Sequence, residues 1–170
     1  MRIDVSDVER GYRRLQSRFP QVASRAINRS ATSARVVMVR EVATDMGLRQ
    51  GDVKPAITTT NATPSRLHAE VVATGKRIPL IKFNARDKYP RGVVARLQGG
   101  RGTYPDAFVR TMRSGHVGVF KRRQAARLPI VELHGPSVVH VFEKKMPLGA
   151  ARASEQLIKN LAHEMSRLSA

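Results

Sequence analysis

The spacing of apolar residues changes near residue 50 of this chain, and that change limits the folds open to it. Before residue 47, apolar side chains recur every three or four positions, as on one face of an α-helix. The stripe runs through Val5, Val8, Tyr12, Leu15 and Phe19, and then through Ala23, Ile27, Ala31, Ala34, Met38 and Val42. Pro20 lies between the two groups and suits a first helical turn. We therefore predict one helix over residues 3–19 and a longer one over residues 20–46, ended by Gly47.

The longer predicted helix is rich in small side chains. They would let another helix or a sheet approach it closely. These small residues are Ala26, Ser30, Ala31, Ser33 and Ala34.

After Gly51 the pattern becomes typical of β-structure. Residues 57–60 are β-branched, and residues 66–74 alternate with a period of two, which predicts a half-buried strand. Further short apolar runs occupy residues 78–83, 92–97, 107–112, 117–120 and 138–142. Residues 98–102 are so rich in glycine that we expect a mobile loop.

Helical spacing returns after Pro147, where Ser154 is a candidate cap and Leu157, Leu161, Met165 and Leu168 share one face. Helices and strands that do not alternate indicate the α+β class. We expect N-terminal helices including one long helix, an antiparallel β meander of about five strands and a C-terminal helix. The length predicts a single domain over residues 1–170, with a helical part (1–47), a β-rich part (52–145) and a C-terminal helix (147–170).

Composition narrows the class of protein further. Apolar residues make up 41% of the 170 residues, which is typical of a globular chain, and there is no Cys for a disulfide framework or a thiolate site. The charged start lacks the apolar run of a signal peptide, and no stretch approaches a membrane span. We expect a soluble protein made in, and retained by, a cytoplasm, without a membrane partner.

The charge is strongly positive and unevenly distributed. The formal charge is +18, and residues 76–127 hold 14 Lys and Arg against two acidic residues, a local balance of +12. Like charges held close together raise the free energy of a compact state, so we expect an anionic partner. The strongest candidate contacts are Arg101, Lys121, Arg122, Arg123 and Arg127. With only 5% aromatic residues and no Trp, double-stranded DNA would be bound through its phosphates, without sequence specificity.

The sequence lacks the usual constellations of an enzyme. None of the five His residues shows the spacing of a metal site, and acidic residues are too sparse in the basic segment for paired-carboxylate chemistry. No phosphate-binding glycine motif is present. We predict that the protein is not an enzyme and has no metal site and no cofactor.

Residues 107–137 carry the most specific motif. It consists of Ala107-Phe108, the segment SGHVGVF (114–120) and the segment RLPIVELHGPS (127–137). Upstream, AINR (26–29), Lys54, IPLIKF (78–83) and Gly92-Val93 follow in a matching order. Over about residues 20–145 the chain resembles the prophage minor tail protein Z family of lambda-like tailed phages.

Several motif residues have structural interpretations. Pro129 would direct the chain into an edge strand or subunit arm, while Gly135, followed by Pro136, would permit a turn. Gly115 would form a tight turn before a strand that starts near His116. Phe108 belongs to the same motif set.

The resemblance implies a virion protein that completes the head-proximal end of a phage tail, at the neck, and helps to join tail and head. Such proteins look similar to a wider group of small neck and tail-completion proteins that assemble as rings, often sixfold, so the implied partners are further copies of this chain. Tail terminator, tail tube or head–tail connector proteins would be its neighbours. The protein would lie in the virion, and in the host cytoplasm during assembly.

Two other functions stay open. A non-specific cytoplasmic nucleic-acid-binding module would explain the charge without a virion role. A nuclease is the least favoured, with Asp87 as the residue to test.

Overall fold

A computed structural model describes residues 6–75, 77–88, 90–97, 100–126 and 128–169, with side chains described from residue 16 to residue 167 within these ranges. The helices are α1 (Ser6–Met46), α2 (Gln50–Val53) and α3 (Val138–Ser169). The strands are β1 (Ile57–Thr60), β2 (Glu70–Ala73), β3 (Arg77–Pro79), β4 (Arg86–Asp87), β5 (Val93–Leu97), β6 (Gly100–Tyr104), β7 (Ala107–Thr111), β8 (Val117–Arg122), β9 (Ile130–Glu132) and β10 (His134–Ser137). The α+β class is confirmed.

The first helix is continuous where two helices were predicted. α1 runs through Pro20 without a break. The reason is visible in the spacing, because Leu15, Phe19 and Ala23 are four residues apart and the stripes on either side of Pro20 are in phase. Proline removes one backbone hydrogen bond but does not forbid the helix on both sides of it.

The helix ends as predicted. Gly47 has a φ of 65°, and its N–H donates to the carbonyl oxygen of Thr44 at 3.1 Å. The next N–H, from Leu48, donates to the carbonyl oxygen of Ala43 at 2.9 Å. Together these two bonds form a Schellman cap.

The last helix starts earlier than predicted. Residues 138–142, expected to form a strand, are the first residues of α3, and Pro147 lies inside the helix. The Ser137 hydroxyl accepts a hydrogen bond from the N–H of Val139 at 3.3 Å, the position of an N-cap. Ser154 is therefore not a cap, and its hydroxyl donates to the Ala150 carbonyl oxygen one turn back at 3.1 Å.

The strands form small antiparallel sheets. Within the described ranges there are two pairs, β1–β2 and β3–β10, and two three-stranded sheets, β4–β5–β6 and β7–β8–β9. Residues 78–83 divide into the end of β3 and a 3₁₀ turn over Leu80–Phe83. The expected mobile loop at 98–102 is wrong from Gly100 onward, because Gly100–Tyr104 is β6; Gln98 and Gly99 lie outside the described residues.

The chain divides into two compact units. The first contains Met1–Met38, Thr58–Val72 and Met146–Ala170. Its described part buries only some of the predicted apolar face of α1, because Phe19 is 43% exposed and Ile27 is half-buried. The buried side chains here are Ala23, Ala31 and Ala34 of that face, together with Ala26. Asn28 of this helix binds a loop through two hydrogen bonds. Its side-chain N–H donates to the Ala62 carbonyl oxygen at 2.9 Å, and its side-chain oxygen accepts from the Ala62 backbone N–H at 2.7 Å.

The small residues of α1 do permit a close approach. Within the first unit, Asn160 of α3 donates its side-chain N–H to the Ser30 hydroxyl at 3.0 Å. Glu164, 2% exposed, lies 2.6 Å from a guanidinium nitrogen of Arg29. The predicted apolar face of α3 is only partly buried, with Leu157 36% exposed, because polar side chains take the central contact positions.

The second unit contains Val39–Ile57 and Ala73–Lys145. Its largest fully buried side chains include Phe83, Met46, Ile57, Leu80 and Val93. Ion pairs at its surface include Lys82–Asp52 at 3.0 Å and Lys145–Asp45 at 3.2 Å. This apolar core supports both three-stranded sheets, which carry most of the basic segment.

None of the helices in the described part of the chain is long and apolar enough to cross a membrane.

Candidate functional site

The cations of the basic segment lie at the surface with few acidic partners. Of the 14 Lys and Arg in residues 76–127, the structure describes 12, and two of these make a salt bridge with a described carboxylate, Lys82 and Lys121. The Lys121 bridge is long, 3.9 Å to Asp106. The other ten are all exposed. The second unit therefore carries a positive surface that its own described carboxylates do not neutralise.

Sheet β4–β5–β6 concentrates part of this charge on one face. Arg96 of β5 is the direct cross-strand partner of Arg101 of β6. Arg86 of β4 pairs with Val94, two residues from Arg96, so it projects to the same side. Direct antiparallel partners have Cβ atoms about 4.5–5.5 Å apart. We call Arg86, Arg96 and Arg101 the arginine face.

The opposite side of the same sheet is apolar. Val93 and Ala95 alternate with Val94 and Arg96 along β5 and are buried. This is the period-two pattern of a sheet with one buried and one solvated side. The arginines are thus held on a sheet whose opposite side is packed into the core.

A shallow groove of about 530 Å³ lies along the arginine face, and Lys88 also lines it. Asp87 is the acidic residue of this lining. Its carboxylate already accepts a hydrogen bond from the N–H of Val109 at 2.9 Å, which links β4 to β7. The groove therefore holds four cations against one carboxylate that is engaged elsewhere.

Sheet β7–β8–β9 positions most of the other predicted contacts. Phe108 and Phe120 are cross-strand partners with ring centroids 6.4 Å apart. The Arg122 guanidinium lies 5.8 Å from the centroid of the Phe108 ring, a cation–π geometry that stiffens this arginine. Arg123 is exposed just after β8, and its backbone N–H donates to the Pro129 carbonyl oxygen at 3.2 Å.

The structure separates the predicted contacts into two groups. Arg101 lies on the arginine face, whereas Lys121, Arg122 and Arg123 line a second groove beside Phe108. Arg127 lies outside the described residues.

The predicted turn at Gly115 is present. This residue has a φ of 82°, and its N–H donates to the Met112 carbonyl oxygen at 2.9 Å. His116 directly precedes β8, and its Nε2 lies 2.9 Å from a carboxylate oxygen of Glu132. Pro129 directly precedes β9, which is an edge strand of its sheet.

The turn predicted at Gly135 is wrong. Gly135 and Pro136 lie inside β10, and the φ of Gly135 is not positive. Glycine is needed there for space, because a Cβ would lie 2.7 Å from Cζ of the fully buried Phe83. The requirement comes from a residue 52 positions earlier in the chain, which no local pattern could reveal.

Groups of three or more His, Asp or Glu side chains that could hold a metal ion do not occur among the residues that the structure describes.

Sequence reasoning missed Arg86, Lys88 and Arg96 as members of a site. The alternation in β5 indicates the position of Arg96. In VVARL the first and third residues are buried and Arg96, the fourth, is exposed. A predicted loop over residues 98–102 leaves no room for the hairpin that brings Arg96 opposite Arg101.

Comparisons with known proteins give one match. A search of curated proteins and a search of solved structures found no significant similarity. The family of prophage minor tail protein Z matches residues 10–169, nearly the whole length and beyond the range of the sequence resemblance. That family suggests a structural role in the virion, as a minor component of a phage tail, and a protein that is not an enzyme. The chain belongs to the prophage minor tail protein Z family.

Proposed function

We propose that this protein completes the head-proximal end of a phage tail and helps to join tail and head. The observation that carries the proposal is the family match over residues 10–169. In this role the protein is architectural and transforms no substrate. Its neighbours are tail terminator, tail tube or head–tail connector proteins, at the neck of the virion, after assembly in the host cytoplasm.

The protein acts as a ring of identical subunits, with sixfold symmetry as the first arrangement to test. Exposed cations without acidic partners support a neighbour of opposite charge. Self-repulsion of a positive surface raises the free energy of the free subunit, and contact with an anionic neighbour removes that penalty. The anionic neighbour is DNA passing through the tail or an acidic subunit surface.

The test is the composition and shape of the virion. A phage whose copy of this gene is deleted is complemented with a tagged gene, and purified particles are analysed by immunoblot and negative-stain microscopy. We expect the tag at the head-proximal end of the tail and tails without heads when the gene is absent. Mass photometry of the purified protein measures its oligomeric state. A strict monomer that is absent from tails would overturn the proposal.

The positive surface also favours a second candidate, a nucleic-acid-binding module with no virion role. It predicts particles of normal composition and infectivity when the gene is deleted. The same deletion phage therefore separates the two functions.

A further inference from the structure

We propose that the arginine face binds the phosphate backbone of duplex DNA without reading its sequence. This proposal rests on the proposed function, which includes a positive surface that meets an anionic neighbour. The proposal assigns that surface to one side of sheet β4–β5–β6. It adds residues that the sequence did not single out, Arg86, Lys88 and Arg96, to the predicted contact Arg101.

The first observation is the register of β5 and β6. Arg96 and Arg101 are direct cross-strand partners, and like charges in that position destabilise an antiparallel pair. Within the described ranges neither arginine has a salt-bridge partner. A cross-strand pair of this kind is relieved by an anion that both guanidinium groups can contact.

The second observation is the extent of the charge. Arg86 lies two strands away from Arg101 and is displaced from it by two residues along the strand direction. At ordinary sheet spacings their Cα atoms are therefore about 12 Å apart. One phosphate contacts only part of such a row. A polymer with regularly repeated phosphates can meet all of it, and duplex DNA carries one negative charge per about 1.7 Å of its axis.

The third observation is the polarity of the surface, which favours DNA over an acidic protein. Protein–protein interfaces have an apolar core inside a polar rim, whereas protein–DNA interfaces are more polar and much more positive. The exposed side of this sheet carries Arg86, Arg96, Arg101 and Thr103, with Val94 half-buried between them. Val93 and Ala95 face the other way, into the core. An apolar centre for a protein partner is therefore missing from this face.

The same geometry predicts indifference to sequence. Base readout requires a helix or ribbon in a groove, or an aromatic side chain that stacks on a base. Tyr104 lies on the same side of the sheet as Val93, its cross-strand partner, and so faces away from the arginines. The arginine face can contact phosphates but has no described aromatic ring with which to stack on bases.

The test is the salt dependence of DNA binding by the full-length protein. Fluorescence anisotropy of a short labelled duplex is measured between roughly 0.05 and 0.4 M KCl, where each phosphate contact contributes about 0.9 to the slope of log K against log salt. For the double variant Arg96→Gln with Arg101→Gln we expect a slope smaller by about 1.8 and an affinity about 60-fold lower at 0.1 M KCl. Arg96→Lys with Arg101→Lys keeps both charges and should keep the slope.

The matched control removes two exposed arginines in the first unit, Arg18→Gln with Arg66→Gln, and changes the net charge equally. The slope of this control variant should match that of the unmodified protein. The unmodified protein should bind a second duplex of unrelated sequence as tightly as the first. Circular dichroism checks that each variant is folded.

An unchanged slope in the Arg96/Arg101 glutamine variant, or an equal loss in the control, overturns the proposal. So does a variant that loses affinity for a poly-glutamate peptide but keeps its affinity for DNA, because the face would then serve an acidic protein. Incorporation into tails is scored separately. A chain that enters tails without binding DNA refutes this inference alone, and a chain that binds DNA through this face but is absent from tails refutes the proposed function alone.

Discussion

Replacement of Gly135 by alanine should destabilise the protein, although the change adds a single methyl group. Gly135 lies in β10 beside Phe83, whose ring is fully buried. The new Cβ would lie 2.7 Å from Cζ of that ring and 3.0 Å from Cδ2. Carbon atoms in favourable contact are about 3.5–4.0 Å apart, so relief of the Cζ contact alone requires the ring or the strand to move by roughly 0.8–1.3 Å. Cε2 of the ring lies closer still to the new Cβ and requires a larger movement.

The magnitude follows from how little room there is for that movement. Protein cores are close-packed, and an extra methyl group in such a core costs about 1–3 kcal/mol. Alanine also restricts the unfolded chain, which offsets about 0.4–1 kcal/mol at a position with ordinary φ. We expect a net loss of about 1–2 kcal/mol in the free energy of unfolding, and a Tm lower by about 2–8 °C for a chain of this size.

Urea unfolding followed by far-UV circular dichroism measures this loss. Gly51→Ala is the matched control, because a Cβ there meets nothing within 4 Å and the φ of Gly51 is ordinary. That variant should be more stable by about 0.4–1 kcal/mol. A double-mutant cycle with Phe83→Leu tests the cause, since a smaller side chain leaves room for the methyl group. The cost of Gly135→Ala should then fall by at least about 0.5 kcal/mol.

Two results would refute this reasoning. One is a Gly135→Ala variant as stable as the unmodified protein. The other is a cost that persists unchanged beside Phe83→Leu, which would mean that the backbone of β10, and not the ring of Phe83, requires glycine.

Two further predictions concern charged side chains. Arg96→Gln removes a like-charge partner of Arg101 and should raise the free energy of unfolding by about 0.2–1 kcal/mol at low salt. This gain should shrink at high salt, because salt screens the repulsion. A lower free energy of unfolding at low salt would contradict the repulsion. Hydrogen bonds from Lys159 and then Arg152 lower the pKa of Glu155. Because its folded-state pKa lies below the unfolded one, Glu155 contributes stability at neutral pH that is lost as pH falls through the lowered pKa. An NMR titration of the Glu155 carboxyl should give a midpoint below the ordinary glutamate value, and Lys159→Ala should raise it; an unchanged midpoint would exclude the Lys159 bond.

Local patterns in the sequence determined much of the secondary structure. The apolar stripe of α1 and its stop at Gly47 are properties of neighbouring residues, so they could be predicted without knowledge of the fold. The same holds for the strands at 93–97, 107–111 and 117–122 and for the turn at Gly115. Charge is also local in origin, which is why the +12 segment pointed to the two sheets that carry the candidate site.

Only the tertiary structure decided which residues meet. Arg96 faces Arg101 because a hairpin sets the register, and Gly135 is required by Phe83 because a strand and a 3₁₀ turn distant in sequence pack together. Glu164 is buried beside Arg29 because two helices far apart in the chain pack together. Such contacts depend on distances through space between residues far apart in sequence, and periodicity describes only residues within a few positions of one another. The sequence alone thus determined several of the elements and the sign of the surface charge, whereas packing decided the arrangement of the arginine face.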